Sequence, residues 1–163
     1  MARGERGYHE DVSAMKRIEV RIVKEWDIEA IRQLYRVGGW WKDEWDPEGI
    51  RPMIAGSLAF AVGIDNDCGK TVAMGRVISD GVSDAYIQDV IVLPEYRSLG
   101  TGRRLIDVLI GVCESRGIAW IGLIAEPGTE NFYIPAGFTR MEGYVPMIYS
   151  GTRKRGGGHA FEK

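Results

Sequence analysis

The stretch Val90-Ile-Val-Leu-Pro-Glu-Tyr-Arg97-Ser-Leu-Gly100-Thr-Gly102-Arg-Arg-Leu105 predicts a strand, a glycine turn and the first turn of an amphipathic helix. The start of a helix carries backbone N–H groups without intrahelical partners and the positive end of the helix dipole, which together bind anions. Gly100 and Gly102 lack the Cβ atoms that would keep a ligand away from this backbone. Positive charge is supplied by three arginines at the turn, Arg97, Arg103 and Arg104. The stretch therefore predicts a site for a phosphate or pyrophosphate.

Two familiar nucleotide-binding loops do not fit the spacing of the glycines. A dinucleotide-binding fold would have glycine at the third position of G-x-G-x-x-G, which is Leu105 here. Gly69-Lys70-Thr71 would end a Walker A loop only if a glycine stood at position 64, which is Ile64. Neither motif is present, so the sequence does not predict binding of ATP or NAD.

Before this stretch, the chain begins with a strand and two helices. Arg17–Val23 alternates apolar and charged residues at the period of a half-buried strand. Asp27 is suited to cap a helix that ends at Gly38-Gly39. Asp46-Pro47-Glu48 supplies the cap, the first-position proline and the acidic first turn of a second helix, which we expect to run to about Ala55.

The middle of the chain predicts a meander of three strands and a crossover. Leu58–Ile64 and Thr71–Ser79 are apolar runs joined by a turn rich in Asn, Asp and Gly, and Tyr86–Leu93 follows after a second turn. A helix from Gly100 to Gly117 then leads to Ile118–Ala125, a nearly unbroken apolar run typical of a central strand covered on both faces. A strand, helix and strand in this order favour parallel pairing of the two strands.

The end of the domain predicts a short helix and two closing strands. Thr129–Pro135 is expected to form a helical turn, and Phe138–Met141 and Val145–Tyr149 are expected to be strands. The complete element order is β α α β β β α β α β β. This order predicts an α+β fold with a mixed, mostly antiparallel central sheet flanked by helices.

Length and composition indicate one globular domain. The chain has 163 residues, of which 45% are hydrophobic and 27% are charged, which is ordinary globular composition. We expect residues 1–16 to be a flexible N-terminal segment, residues 17–150 to be the domain, and residues 151–163 to be a flexible basic tail. The two cysteines, Cys68 and Cys113, lie in unrelated contexts and indicate no disulfide framework. No leader or membrane-spanning run is visible, so a reducing cytoplasm is the expected location.

Charge is distributed unevenly along the chain. The formal net charge is −2, but residues 1–17 carry four basic and three acidic side chains and residues 151–163 carry four basic and one acidic. Residues 18–150 therefore carry −6. An acidic body attracts cationic molecules rather than polyanions, so neither nucleic acid nor a membrane surface is an expected partner. Arg153-Lys154-Arg155 in the tail could touch an outer cofactor phosphate, or could simply be solvated.

The glycine turn resembles the hallmark motif of the GCN5-related N-acetyltransferase (GNAT) superfamily. Arg97-Ser-Leu-Gly100-Thr-Gly102 matches the family pattern R-x-x-G-x-G in full. The resemblance extends over 17–149 in element order, and its specific part covers 86–138. It implies acetyl-CoA as cosubstrate, with no metal. The implied contacts to the pyrophosphate come from the turn: Arg97, Ser98, Leu99, Gly100, Thr101, Gly102 and Arg103. The strand before the turn is implied to bind the pantetheine arm through Val90, Ile91 and Val92.

A second motif resembles the same family. In Phe132-Tyr133-Ile-Pro-Ala-Gly137-Phe138 a tyrosine precedes a Gly-Phe pair by four residues. The resemblance implies that Tyr133 protonates the departing CoA thiolate and that Asn131 contacts the pantetheine or the cofactor sulfur. Pro135 departs from the commonest pattern and is expected to stiffen or shorten this helix. The stretch Tyr86–Val90 is also similar to chloroplast-type and arylalkylamine-type members.

The residues predict direct transfer rather than a covalent enzyme intermediate. The chain has no Cys-His or Ser-His arrangement, and its two histidines, His9 and His159, fall in the predicted tails. Deprotonation of the amine would therefore fall to water or to a carboxylate. Asp89 is a candidate for this base, or it has a hydrogen-bonded structural role. The resemblance implies that the backbone N–H of Val92 stabilises the oxyanion.

The acceptor side is predicted to lie between the first two helices. Gly38–Glu48 contains Trp40, Trp41 and Trp45 together with four acids and one lysine. Such a loop suits a cationic amine through cation–π and charge contacts, but the tryptophans could equally staple the helix pair. Weaker candidates for the acceptor site are Tyr144 and Tyr149.

The sequence therefore predicts an acetyl-CoA-dependent N-acetyltransferase acting on a primary amine, most simply a small cationic one, by direct attack in a ternary complex. The alternatives are acetylation of a protein N-terminus or lysine, and a non-catalytic acyl-CoA sensor. Homodimerisation is common in the family that the chain resembles, but no segment of this sequence requires it.

Overall fold

Each strand of the central sheet pairs with the strand that precedes it in the chain. The computed structural model describes residues 17–149. The five strands lie in the order β1 (Ile18–Val23), β2 (Ala59–Asp65), β3 (Lys70–Ser79), β4 (Asp84–Val92) and β5 (Trp120–Gly122). The first three pairings are antiparallel, and β4 and β5 are parallel. The mixed, mostly antiparallel sheet, its meander and its parallel crossover are as predicted.

Four helices flank the sheet: α1 (Ile28–Val37), α2 (Ile50–Gly56), α3 (Thr101–Glu114) and α4 (Glu130–Tyr133). The predicted caps of the first two helical segments are confirmed. The carboxylate of Asp27 accepts a 2.7 Å hydrogen bond from the N–H of Ala30, and α1 ends at Gly38. The carboxylate of Asp46 accepts a 3.0 Å hydrogen bond from the N–H of Glu48, where a short 3₁₀ turn leads into α2.

Helices cover both faces of the sheet, and the sheet residues beneath them are large on one face and small on the other. On one face α1 and α2 pack on Phe60, Val62 and Met74, all fully buried. On the other face α3 packs on the small Ala59 and Ala61. A Cβ on Gly75 would lie 3.1 Å from Leu105 Cδ2 and 3.2 Å from Leu109 Cδ1, so glycine at this position allows α3 to approach the sheet closely. This packing fixes the start of α3 beside the end of β4.

The end of the sheet differs from the prediction. The run Ile118–Ala125 forms a strand only at Trp120–Gly122, and Trp120 is 39% and Ile124 75% exposed. The expected closing strands, Phe138–Met141 and Val145–Tyr149, do not form within residues 17–149. Pro146 in the second of these segments has no N–H to donate to a ladder. Without those neighbours β5 is an edge strand, so its prediction as a covered central strand is wrong.

The glycine in the middle of α3, Gly111, does not pack against the sheet. It is exposed, and a Cβ built on it would meet nothing within 4 Å. Gly111 therefore lies on the outer face of α3 and is not needed for packing.

Several predictions lie outside the described part of the chain. These are the flexible segments 1–16 and 151–163, the histidines His9 and His159, and the basic cluster Arg153-Lys154-Arg155. Within residues 17–149, no helix combines the length and the apolar content that a membrane crossing requires.

Candidate active site

A cleft opens where β4 and β5 separate. Their ladder contains only three residue pairs, Asp84 with Trp120, Ala85 with Ile121, and Tyr86 with Gly122. Strand β4 continues for six more residues to Val92, whereas β5 stops. The outer edge of residues 87–92 therefore faces the cleft with its backbone N–H and C=O groups. This edge contains Val90, Ile91 and Val92, which the sequence resemblance assigned to the pantetheine arm.

A β-bulge marks the point where β4 turns away from β5. Met74 on β3 lies opposite Ile91, and Arg76 lies opposite Gln88, so a single β3 residue faces the two residues Asp89 and Val90. Asp89 has a φ of 55°, in the left-handed region. A bulge bends a strand and increases its local twist, so this one directs the end of β4 out of the plane it shares with β5.

The carboxylate of Asp89 is held beneath the bulge by two donors. Arg76 Nε donates to Asp89 Oδ2 at 2.6 Å, and the hydroxyl of Tyr35 donates to the same oxygen at 2.8 Å. The side chains of Asp89 and Arg76 are only 6% and 17% exposed. Burial first, and then the charge of Asp89, raise the pKa of Tyr35 well above its ordinary value, so it stays a donor. Of the two roles that the sequence left open for Asp89, these contacts are those of a structural one.

The glycine turn has the geometry of an anion site. Ser98 and Gly100 both have positive φ, 62° and 73°, and successive backbone N–H groups in such turns form concave anion-binding nests. Helix α3 begins at Thr101 without a side-chain cap from the described residues. The first N–H groups of α3 are thus not capped by a side chain of the described residues, and binding of a phosphate or pyrophosphate at this turn stays a prediction.

The three arginines of the turn have different partners. Arg97 Nε donates to the carbonyl of Val92 at 3.1 Å across the turn. Arg103 donates to Asp107 at 2.8 Å and to the carbonyl of Pro135 at 2.5 Å. Both side chains stay at the turn. Arg104 instead donates to the carbonyl of Ile18 at 2.8 Å and so ties α3 to β1, away from its expected role.

The helix that carries Tyr133 rests on the glycine turn. A Cβ on Gly102 would lie 2.9 Å from Phe132 Cζ, so the absence of a side chain there lets α4 sit against the start of α3. The ring of Tyr133 is half-buried and packs edge-on against Phe132 and Phe138, with ring centroids 4.9 Å and 6.0 Å apart. Pro135 lies in the 3₁₀ turn that follows the four residues of α4, as the predicted shortening requires. Asn131 is exposed on α4.

The surroundings of Tyr133 keep its hydroxyl protonated. Burial first, and then the negative charge of Glu126, raise the pKa of Tyr133 above its ordinary value. A tyrosine with such a pKa is fully protonated at neutral pH, which a general acid must be.

The tryptophan loop reaches the far side of the cleft. Trp40 Nε1 donates to Glu126 Oε1 at 3.2 Å, joining the loop after α1 to the segment after β5. The ring of Trp40 also packs edge-on against Tyr35, 6.1 Å between centroids. Trp41 packs against Trp45 in the same manner, at 5.8 Å. Trp40 and Trp41 also contact the core beneath α1, as the structural role requires, and binding of a cationic amine by these rings stays a prediction.

The remaining acceptor candidates are not enclosed. Tyr144 and Tyr149 are 72% and 77% exposed.

Sequence reasoning missed Glu126, although the sequence contained one signal for it. Glu126 is the first charged residue after the apolar run that ends at Ala125. Polar residues at the carboxyl ends of parallel strands are often functional. Among residues 17–149 no group of three or more His, Cys, Asp or Glu side chains could hold a metal ion.

The family model described as the acetyltransferase (GNAT) family matches residues 22–138. The chain belongs to the GNAT family. It is 41% identical over 81 residues to GCN5-related N-acetyltransferase 1, chloroplastic, of Arabidopsis thaliana, a match covering 49% of this chain and 41% of the relative. It is 37% identical over 73 residues to serotonin N-acetyltransferase 2, chloroplastic, of Oryza sativa subsp. japonica, covering 45% and 36%. The chain thus spans less than half the length of these relatives.

Solved structures of GNAT proteins share the whole fold. The GNAT family protein SP0256 from Streptococcus pneumoniae TIGR4 superposes with a TM-score of 0.69 at 26% identity, covering 82% of this chain and 97% of that one. The fold expected from the glycine turn and the element order is therefore confirmed, together with the family.

Proposed function

We propose that this GNAT protein transfers the acetyl group of acetyl-CoA to the primary amine of a small cationic molecule, by direct attack of the amine in a ternary complex. The observation that carries the proposal is the cleft between β4 and β5, which has an uncapped helix start at one end and the protonated Tyr133 beside it. GNAT proteins use acetyl-CoA, and the cleft has the donors that such a molecule needs.

The cofactor would be held by backbone groups. The nest at Ser98 and Gly100 and the first turn of α3 supply N–H donors for the pyrophosphate, with Arg97 and Arg103 adding positive charge. The outer edge of β4 at 90–92 supplies backbone groups for the pantetheine amides, apart from the carbonyl of Val92, which accepts from Arg97. When bound, the cofactor supplies a thioester, whose carbonyl carbon is the electrophile.

The chemistry then depends on two groups of the protein. The amine nitrogen, neutral once its ammonium form has lost a proton to water, attacks the carbonyl carbon, and the N–H of Val92 stabilises the negative charge that develops on the carbonyl oxygen. The proton that the nitrogen loses as the amide forms also passes to water. Tyr133 donates its proton to the sulfur as the carbon–sulfur bond breaks. Asp89 keeps the bulge in β4, and with it the direction in which the N–H of Val92 points, through its bonds to Arg76 and Tyr35.

The acceptor is proposed to be cationic and small. The body of the chain, residues 18–150, carries −6, and the loop that reaches the cleft combines Trp40, Trp41 and Trp45 with acidic residues. One relative bears the name serotonin N-acetyltransferase 2. These features favour an amine that presents positive charge and an apolar body.

The test is acetylation of a panel of small amines and of peptides with free N-termini or lysines, by wild type and Tyr133→Phe. We expect wild type to acetylate small amines, and the variant to lose about 10²- to 10⁴-fold in kcat with little change in the KM for acetyl-CoA. Tyr86→Phe is the matched control, because Tyr86 lies 44% exposed against Trp120. Activity confined to peptides, or binding of acetyl-CoA with no turnover of any acceptor, would contradict the proposal.

A further inference from the structure

Glu126 is an exposed carboxylate in the segment that follows β5. It follows β5 after three residues, and its Oε1 accepts the hydrogen bond from Trp40 Nε1 across 86 positions of sequence. A carboxylate has about four lone-pair sites, and the indole uses one of them. The side chain is exposed, so the remaining sites can be reached by a ligand in the cleft.

The charge of Glu126 is not balanced within the described part of the chain. No salt bridge among residues 17–149 includes it, whereas Glu130, four residues on, pairs with Arg140 at 2.8 Å. Glu126 also lies near enough to Tyr133 for its charge to act on that hydroxyl. The carboxylate is therefore hydrogen-bonded to an indole ring, and its charge acts on the proposed proton donor.

A carboxylate beside a fixed indole ring is suited to an ammonium group. The charge gives strong hydrogen bonds to N–H donors, and the face of a tryptophan attracts a cation within about 6 Å. The ring of Trp40 is held in position by its edge-on contact with Tyr35 and by its hydrogen bond to Glu126.

We propose that Glu126 binds the ammonium form of the acceptor amine beside Trp40 and thereby selects cationic acceptors. The bound ammonium group then loses a proton to water before its nitrogen attacks. This inference rests on the proposed function and assigns the acceptor site of the same cleft.

The experiment compares Glu126→Gln with a matched control, Glu130→Gln. The glutamine at 126 keeps an oxygen that accepts from Trp40 Nε1 but carries no charge. Steady-state kinetics use two acceptors, an alkylamine that is protonated at neutral pH and an arylamine that is neutral there. We expect Glu126→Gln to raise the KM for the alkylamine by about tenfold or more, and to leave the KM values for the arylamine and for acetyl-CoA unchanged. Glu130→Gln should behave as wild type.

Three results would overturn the inference. The first is an unchanged alkylamine KM in Glu126→Gln, and the second is an equal loss for both acceptors. The third is a raised alkylamine KM in Glu126→Ala together with an unchanged one in Glu126→Gln. That result would show that Glu126 acts only by holding Trp40 in place. In each case wild type still acetylates amines, so the proposed function stands. If wild type acetylates no amine, the proposed function fails and this inference fails with it.

Discussion

Replacement of Asp89 separates its structural role from a catalytic one. In Asp89→Ala the guanidinium of Arg76 and the hydroxyl of Tyr35 lose the oxygen to which they donate at 2.6 Å and 2.8 Å. The two charged side chains are 6% and 17% exposed, and removal of one partner from such a buried pair costs about 3–5 kcal/mol. Alanine also tolerates the φ of 55° poorly, at about 1–2 kcal/mol. We therefore expect a loss of at least about 3 kcal/mol in the free energy of unfolding.

Two further variants make the measurement specific. Asp89→Asn keeps an oxygen that accepts from both donors and tolerates the backbone conformation, so we expect it to lose only about 1.5–3 kcal/mol, the value of hydrogen bonds to a charged group. Asp107→Ala is the matched control, because Asp107 pairs with Arg103 on the surface, where the side chains are 50% and 45% exposed. Such a pair contributes about 0–1 kcal/mol.

The assay is equilibrium unfolding in urea, followed by the fluorescence of the five tryptophans, with kcat measured where each variant is fully folded. Unfolding free energies of Asp89→Ala and Asp107→Ala that agree within about 1 kcal/mol would refute the reasoning. A kcat of Asp89→Asn that is lowered about 100-fold or more at unchanged stability would instead make Asp89 the general base.

Three other predictions concern α3 and Tyr133. Gly102→Ala places a Cβ 2.9 Å from Phe132 Cζ. We therefore expect weaker acetyl-CoA binding, measured by calorimetry, and a kcat lowered about tenfold or more. Binding and kcat equal to those of wild type would contradict this prediction. The Cβ added in Gly111→Ala has no neighbour within 4 Å, so we expect the free energy of unfolding to rise by about 0.5–1 kcal/mol, measured as a higher Tm. A lower Tm would contradict the exposed position of Gly111. The pKa of Tyr133 is raised above its ordinary value of 10.0, so its stabilising contribution is complete below that pH and is lost as the pH rises through the raised pKa. Tyr133→Phe should therefore lose less stability than wild type between neutral and strongly alkaline pH, and identical urea midpoints across that range would contradict the shift.

The parts of the fold that depend on neighbouring residues could be predicted from the sequence. The caps at Asp27 and Asp46, the turn at Gly100 and the short helix of Tyr133 each follow from residues within one turn of each other. The length of β5 could not be predicted in this way, because an apolar run does not show whether other strands will cover it. Pro146, which weakens the expected last strand, was present as a signal but was outweighed by the apolar residues around it.

The contacts that organise the candidate site join distant parts of the chain. Arg76 and Tyr35 reach Asp89 from two other elements, and neither partner could be chosen from the sequence alone. The same holds for Glu126, which becomes a site residue only because the loop after α1 brings Trp40 to it. A pattern in one segment can indicate that a side chain has a function, but its partner is set by the packing of α1 across the sheet.

The agreement between strand order and chain order has a consequence for how the molecule folds. Strands β2, β3 and β4 are joined by short turns, so β3 and β4 each pair with the strand synthesised just before them, and contacts of this kind form quickly. The β1–β2 ladder encloses α1 and α2 but contains six residue pairs, whereas the β4–β5 ladder encloses α3 and contains only three. We expect the acetyl-CoA cleft to be the last part to assemble as the chain leaves the ribosome, on a sheet that is already in place.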